Sequence, residues 1–531
     1  MRNGYKALGA ILAVSMMGSL MTGCKSGQKI SGGGATGAKV TLTVEVYDRG
    51  KPGQPAMDNN YWTKWINSNF GAKNNCTVQF IPVPRSQETD KLNVLMAANQ
   101  APDICFTYDP GTVYTYYSQG GLTQLDSLMT KYGSTLSKYL GKDLLKYGTF
   151  SNKLYAVPAK RTILLSGGTF IRKDWLDKLG LPLPTNRDEF YQDLVAFRDK
   201  NPGNVSGVVP MAYALGSNSN IFMTNLPDSF YKDMGEETLA KYMTTAGGCS
   251  WTMPGYKDYM QFMNKLYNEK LISPDFAIDK TGKQAEADLS NGKGGVVCTN
   301  WDYVYRSTPG IETNLEKSVP GASLVPVSCF RNDQGKYPTA LNSPNGFYII
   351  VPKSSKNAEL AVKYLNWMSD TKVTTFLQNG EEGVDYKMVD GIPQPTTPST
   401  LTGDKMMTSV QNVDYDITSN GPELGSDEKN LKATAIGYPG FASQIEESAK
   451  INSKDGVAPY YSALPNTANA KYASTLSDKS LEMQAKLITC KPDQFSSLYD
   501  SLVKDYMAAG GQAIVDENVK NYKITTGKTL K

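Results

Sequence analysis

VTLTVEV at residues 40–46, CTVQFIPV at 76–83 and ICFT at 104–107 are three short apolar runs. The segments between them have a different period. In the first run, apolar and polar residues alternate from Val40 to Val46, which predicts a half-buried strand. Asp58 is placed to cap a helix that carries Tyr61, Trp62, Trp65, Ile66 and Phe70 on one side. Ser86 is placed to cap another, with Leu92, Leu95 and Met96 on one face. Strand, helix, strand, helix, strand implies parallel strands joined by crossover helices.

The pattern continues outward. Phe170-Ile171 leads into Lys173–Leu179, a predicted helix that Gly180 can end. Thr185-Asn-Arg-Asp188 looks like a capping box, with Phe190, Leu194 and Phe197 following at helical spacing until Pro202-Gly203. Tyr259, Met263, Leu266 and Tyr267 mark another helix, ending before Ser273-Pro274. Gly295–Cys298 and Phe347–Val351 read as buried strands, the second running into a helix with Leu360, Tyr364, Leu365 and Met368. From about 395 to 480 the chain is polar with weak periodicity, and a last helix is expected at roughly 494–507. No internal repeat appears. The expectation is an α/β protein of two lobes.

The chain has 531 residues, too many for one core at roughly 100–200 residues per domain. A net charge of +4 falls to +2 without Arg2 and Lys6, which leaves no field for nucleic acid. There is no histidine, which excludes Ser-His-Asp and Cys-His catalysis and His-ligated zinc. Carboxylate-only chemistry, such as glycoside hydrolysis, survives that exclusion. Tyrosine is abundant at 32 residues, suited to a surface that meets flat apolar faces.

Residues 1–23 carry Arg2 and Lys6 and then a small, apolar run from Ala7 to Leu20, too short to span a membrane. Leu20-Met-Thr-Gly-Cys24 resembles a bacterial lipobox, in which Cys24 takes lipid. Residues 24–39 are rich in glycine and serine, a flexible tether. The expectation is an exported chain held by lipid to the outer face of a cell membrane, in a Gram-positive bacterium. The other cysteines, Cys76, Cys105, Cys249, Cys298, Cys329 and Cys490, are scattered and read as free thiols rather than a disulfide framework.

Several segments resemble the family 1 bacterial extracellular solute-binding proteins, the sugar-capturing lipoproteins of ABC importers. They are Ala101–Ile104, Asn152–Pro158, Ile171–Leu181 with Pro184-Thr185 and Asp188–Phe190, Leu266–Asp275, Ser290–Gly292, Pro352–Ser355 and Gly380–Tyr386. The last is similar to a segment of the large Bacillus and Paenibacillus branch. The resemblance implies a two-lobed, type II periplasmic-binding-protein-like fold with a ligand cleft between lobes. Lobe 1 is expected over 40–157 plus about 345–395, and lobe 2 over 158–344 plus about 396–531. It implies an oligosaccharide ligand, permease subunits as partners, a monomer, no enzymatic activity and no cofactor. A surface glycan receptor and a lipid-anchored glycoside hydrolase are the alternatives. Some large members carry an acidic calcium loop; here the stretch Asp199–Pro210 keeps only Asp199 as a carboxylate, so no metal site is expected.

A sugar offers apolar C–H faces and a rim of hydroxyls, so a binder stacks aromatics on it and points Asp, Asn and Arg at its edge. In open α/β lobes such groups sit at the carboxyl ends of strands. Asn300, Trp301, Asp302 and Tyr303 follow the Gly295–Cys298 strand, and the resemblance places a stacking aromatic at Trp301. Tyr108 and Asp109 follow the third strand, and Asp48 and Arg49 the first. Arg161, just after Val157-Pro158, could fork onto a uronate or a hydroxyl pair, and Trp251 lies in a loop as a second platform.

Overall fold

Alternation along each strand decides which core a side chain enters. The computed structural model describes residues 39–50, 53–216, 219–243, 250–396, 403–405, 414–462 and 464–530. The expected export segment, residues 1–23, the expected lipidation position Cys24, and Cys249 lie outside them.

The first sheet grows from the strands that open the folded chain. Val40–Asp48 pairs parallel with Cys76–Pro84, from Val40 opposite Cys76 to Asp48 opposite Pro84. A parallel bridge between Val44 and Ile104 brings Cys105–Thr107 to its other side. The sheet then extends through Asn345–Ile350, Ala156–Arg161 and Ser419–Asn420. The second sheet has the order Leu324–Val327, Gly167–Arg172, Gly294–Asn300, Val209–Ala212. Parallel pairing holds for the first three strands. Val209–Ala212 against Gly294–Asn300 and Ser419–Asn420 against Ala156–Arg161 are also parallel, and the other neighbours in the two sheets are antiparallel.

Both sheets are covered on two faces, so neighbouring residues of a strand enter different cores. In the second sheet Ile171, Met211 and Val296 join one cluster, while Phe170, Ala212 and Val297 join the other. In the first, Phe106, Val157 and Ile349 face the larger core and Cys105, Ala156 and Ile350 the smaller. Trp62 and Trp175 are wholly buried in these cores. Cys105, Cys298, Cys329 and Cys490 are free thiols, and Cys76, Cys105, Cys298 and Cys329 are buried.

Several local expectations shift. Asn60 caps the first helix in place of Asp58: its side chain accepts from the Trp62 and Thr63 amides while Thr63 Oγ1 accepts from the Asn60 amide. Ser86 sits in a 3-10 turn, and the helix Glu88–Ala97 starts without a side-chain cap. The polar region holds three helices, Asp427–Ile436, Ala442–Ser453 and Thr467–Thr489, and a further helix, Gln512–Thr526, follows Phe495–Tyr506. The stretch around 414–420 lies with the first sheet, although the sequence puts it with the second lobe. Tyr415 and Ile417 fill the first core, and Ser419–Asn420 pairs with Lys160-Arg161. The strand Ala156–Arg161 runs across the expected lobe boundary at 157–158.

Candidate functional site

A cavity of about 710 Å³ opens between the edge of the first sheet and the C-terminal segment whose helices pack into the second core. On the sheet side it is lined by Tyr108, Asp109, Arg161, Asn345 and Tyr348; on the other by Tyr460, Tyr461, Asn466, Asn469 and Asn518. Tyr114, Tyr147 and Phe150 add aromatic wall. Asp109 is the one carboxylate and Arg161 the one cation among the described lining residues.

Each wall follows from local structure. Tyr108 and Asp109 leave the end of the strand Cys105–Thr107, and Asp109 caps the helix Pro110–Ser118. Its carboxylate accepts from the Gly111 amide at 3.0 Å, the Thr112 amide at 2.9 Å and Thr112 Oγ1 at 2.7 Å. Arg161 ends the strand Ala156–Arg161, and its backbone amide donates to the Pro344 carbonyl at 2.8 Å. The partner strand changes register between Asn345 and Tyr348, a bulge that presents Asn345 and Gly346 at the cavity. Tyr461 crosses to the first-sheet side: its hydroxyl donates to the Lys146 carbonyl at 2.7 Å, and its ring lies 4.7 Å from that of Tyr147. Burial pushes the phenols of Tyr348 and Tyr461 up to about 12, so both stay protonated and can donate as well as accept.

Charge gathers around Tyr108. The Arg85 guanidinium lies 4.4 Å from its ring centre, and Asn420 Nδ2 reaches its hydroxyl at 3.5 Å. Arg49 forks onto Asp414 at 2.7 and 2.6 Å. Burial opposes the charge of Arg49, but Asp414 more than offsets that and its pKa rises. Arg85 stands 3.6 Å from Glu88, whose carboxyl burial pushes up to about 7. Burial lowers the pKa of Arg161, with Tyr108 acting weakly against it.

Of the ten residues singled out in the sequence, Tyr108, Asp109 and Arg161 line this cavity. The others lie elsewhere, held by partners within the fold. Trp301, expected on a ligand face, is 7% exposed in a packed cluster with Phe170, Val297 and Ile445. Its carbonyl accepts from Ser448 Oγ at 2.5 Å. Asp302 takes both ends of the Arg306 fork, at 2.9 and 2.7 Å, and the Tyr438 hydroxyl as well. Tyr303 is buried and donates to Glu286 at 2.6 Å, while Asn300 pairs with Gly167 in the second sheet. Asp48 accepts from the Gly50 amide and Gln54 Nε2, both at 2.8 Å, as a turn residue does. Trp251 packs against Tyr256, Tyr499 and Tyr506, and its indole N–H donates to Ser480 at 3.1 Å. Asn345, Tyr348, Tyr461 and the Asn466–Asn469 turn are lining residues that sequence reasoning missed. The one signal for them is Pro459-Tyr-Tyr461 ahead of Asn466, which proves to be a helix cap.

In the calcium-loop stretch, Asp199 is exposed and forked by Arg198 at 2.7 and 3.1 Å. Among the described residues no group of three or more Cys, Asp or Glu could hold a metal. No helix of the described residues is long and apolar enough to cross a membrane.

Comparison with known proteins agrees with this architecture. Lipoprotein LipO of Bacillus subtilis is 27% identical over 321 residues, 58% of this chain and 61% of LipO, so the match spans less than two thirds of that relative. The polygalacturonan/rhamnogalacturonan-binding protein YtcQ of the same organism is 22% identical over 98% of this chain and 99% of its own length. An HMO-binding, ABC-transporter-associated solute-binding protein of Bifidobacterium longum infantis has the same fold, with a TM-score of 0.67 and 17% identity over 93% of this chain and 100% of that one. These likenesses make the fold the two-lobed type II arrangement, with its cleft between lobes. Residues 57–375, more than half of the sequence, match the bacterial extracellular solute-binding protein family, and the chain belongs to that family.

Proposed function

We propose that the protein captures an oligosaccharide in the cavity between Tyr348 and Tyr461 and hands it to the permease of an ABC importer. The observation that carries this reading is the lining: seven aromatic rings, a row of amides and hydroxyls, and a single cation. Rings suit the C–H faces of a sugar; amides and phenols suit its hydroxyls. About 710 Å³ is room for two or more sugar units. The sugar-binding relatives support the same class of ligand.

A binding role is favoured over catalysis by the carboxylates. Retaining hydrolysis needs a pair about 5–5.5 Å apart, and inverting hydrolysis a pair about 6.5–9.5 Å apart. The cavity offers Asp109 alone among its described lining residues, already engaged by three donors. Delivery to a membrane permease fits lipidation at Cys24, with residues 24–39 as the tether. Cells fed a labelled lipid precursor should mark the natural chain and leave Cys24→Ala unmarked; label on the variant would refute the anchor.

The function itself is tested by thermal unfolding of the purified protein with a panel of oligosaccharides. A ligand at 100 times its Kd that binds only the folded state adds about 2.7 kcal/mol, a clear rise in Tm. At least one oligosaccharide should produce that rise, and Tyr348→Ala should abolish it. If no saccharide moves the Tm while a peptide does, the reading fails.

A further inference from the structure

Two buried polar atoms of opposite kind meet the same end of the cavity without partners. Arg161 Nε, a donor, and Asn345 Oδ1, an acceptor, are both enclosed and make no hydrogen bond. Their backbones lie together: Asn345 pairs with Lys160, the residue before Arg161. The nearest bond of the guanidinium is a long one, from Nη2 to the Gly346 carbonyl at 3.4 Å.

Arg161 also lacks the counter-charge that six of its peers have. Six other arginines, Arg49, Arg85, Arg172, Arg187, Arg198 and Arg306, each stand within ion-pair distance of a carboxylate. Arg161 has no ion pair among the described residues, although it is half-buried. An uncompensated cation in such a place opposes folding, because it has left water without gaining an anion. Arg85, close to the same Tyr108 ring, adds positive potential, and the Glu88 beside it has a raised pKa that weakens its opposition. The Asp109 carboxylate on the wall is turned to its own helix amides.

We propose that the sugar taken into this cavity bears a carboxylate, as a uronic acid residue does. Its carboxylate accepts from Arg161, and a ring hydroxyl of the same residue donates to Asn345 Oδ1. The pairing satisfies both orphan atoms with one ligand unit. It supplies the anion that Arg161 lacks and makes the guanidinium a selector against neutral sugars. This inference rests on the proposed sugar-binding role and adds to it the class of sugar.

The test uses calorimetric titration of the purified protein with uronic acid trisaccharides of three epimers, galacturonate, glucuronate and mannuronate. Each is paired with its carboxyl-reduced neutral counterpart, and a panel of common neutral oligosaccharides is run beside them. At least one acidic trimer should bind at least about 30-fold more tightly than its reduced form, the scale expected when one partner of a buried charge pair is removed. Arg161→Gln should bring the two forms within a few-fold of each other and leave Tm unchanged or raised, because the variant removes a charge that the free protein does not pair. Asn345→Leu should weaken the acidic trimer without abolishing the acidic preference.

Acidic and neutral forms that bind equally, or tight binding confined to neutral oligosaccharides, would overturn the uronate assignment and leave the sugar reading intact. A large fall in Tm for Arg161→Gln would overturn it too, by making the arginine structural. Absence of binding by every saccharide would remove the sugar reading and this inference together.

Discussion

Of the residues singled out in the sequence, Tyr108 and Asp109 leave the end of the apolar strand Cys105–Thr107 and Arg161 ends Ala156–Arg161, and all three line the cavity. Trp301 and Asp302, whose polar neighbours suggest ligand-facing groups, are buried and lie outside that lining. Asp302 is instead consumed by Arg306 and Tyr438, the latter far along the chain, so no local pattern reveals that the site is closed. Trp251 is likewise packed outside the lining, against Tyr499 and Tyr506 of one distant helix, Phe495–Tyr506. A packed Trp301 has a measurable consequence. Trp301→Ala should lower stability by about 3–5 kcal/mol, as large-to-small changes in cores do, read by urea unfolding. Normal stability with lost sugar binding would return Trp301 to the ligand. Beside Arg161, Gly346 has no room for a side chain: a Cβ there would stand 2.5 Å from Asn420 Cβ.

At the scale of elements, strands and the helices with apolar faces were legible, Phe495–Tyr506 among them, and the other helices described after 420 were not. The reason lies in what they bury. Asp427–Ile436 buries Asn430, Thr434 and Ala435, and Ala442–Ser453 buries Ser448 and Asn452 beside Ile445 and Ala449. A helix that presents amides and hydroxyls to its core leaves little apolar period to read. The cavity's far wall comes from the stretch that follows, the loop around Tyr460-Tyr461 and the helices Thr467–Thr489 and Gln512–Thr526, where the sequence shows little apolar period. On the near wall, the bulge at Gly346 is the element that aims Asn345. Gly346→Ala should cost about 1–3 kcal/mol through overpacking against Asn420. Asn420→Gly in the same chain should restore a good part of it, with a coupling of at least about 1 kcal/mol in a double-mutant cycle of thermal unfolding. Strictly additive effects would contradict the close contact.

For the whole molecule, the buried carboxylates set the response to pH. Burial raises Glu45 to about 8 and Glu88, Asp193, Asp228, Glu312 and Asp416 to about 7. In the unfolded chain such groups titrate near 4. The folded state therefore holds more protons between those values, and the stability this contributes is complete below about pH 4 and is lost as pH rises through 7 and 8. Tm should fall from pH 5 to pH 8, and Glu45→Gln should flatten the last part of that fall. A Tm that climbs across this range would contradict the assigned burial. The buried strands follow from apolar runs spread along the sequence; the ligand depends on walls that meet only in three dimensions. The most direct test of that meeting is a crystal structure of the protein with the oligosaccharide that raises its Tm most. Sugar rings lying against Tyr348 and Tyr461, with an edge at Arg161 and Asn345, are the predicted result. A ligand seated against Trp301, or anywhere outside this cavity, would contradict it.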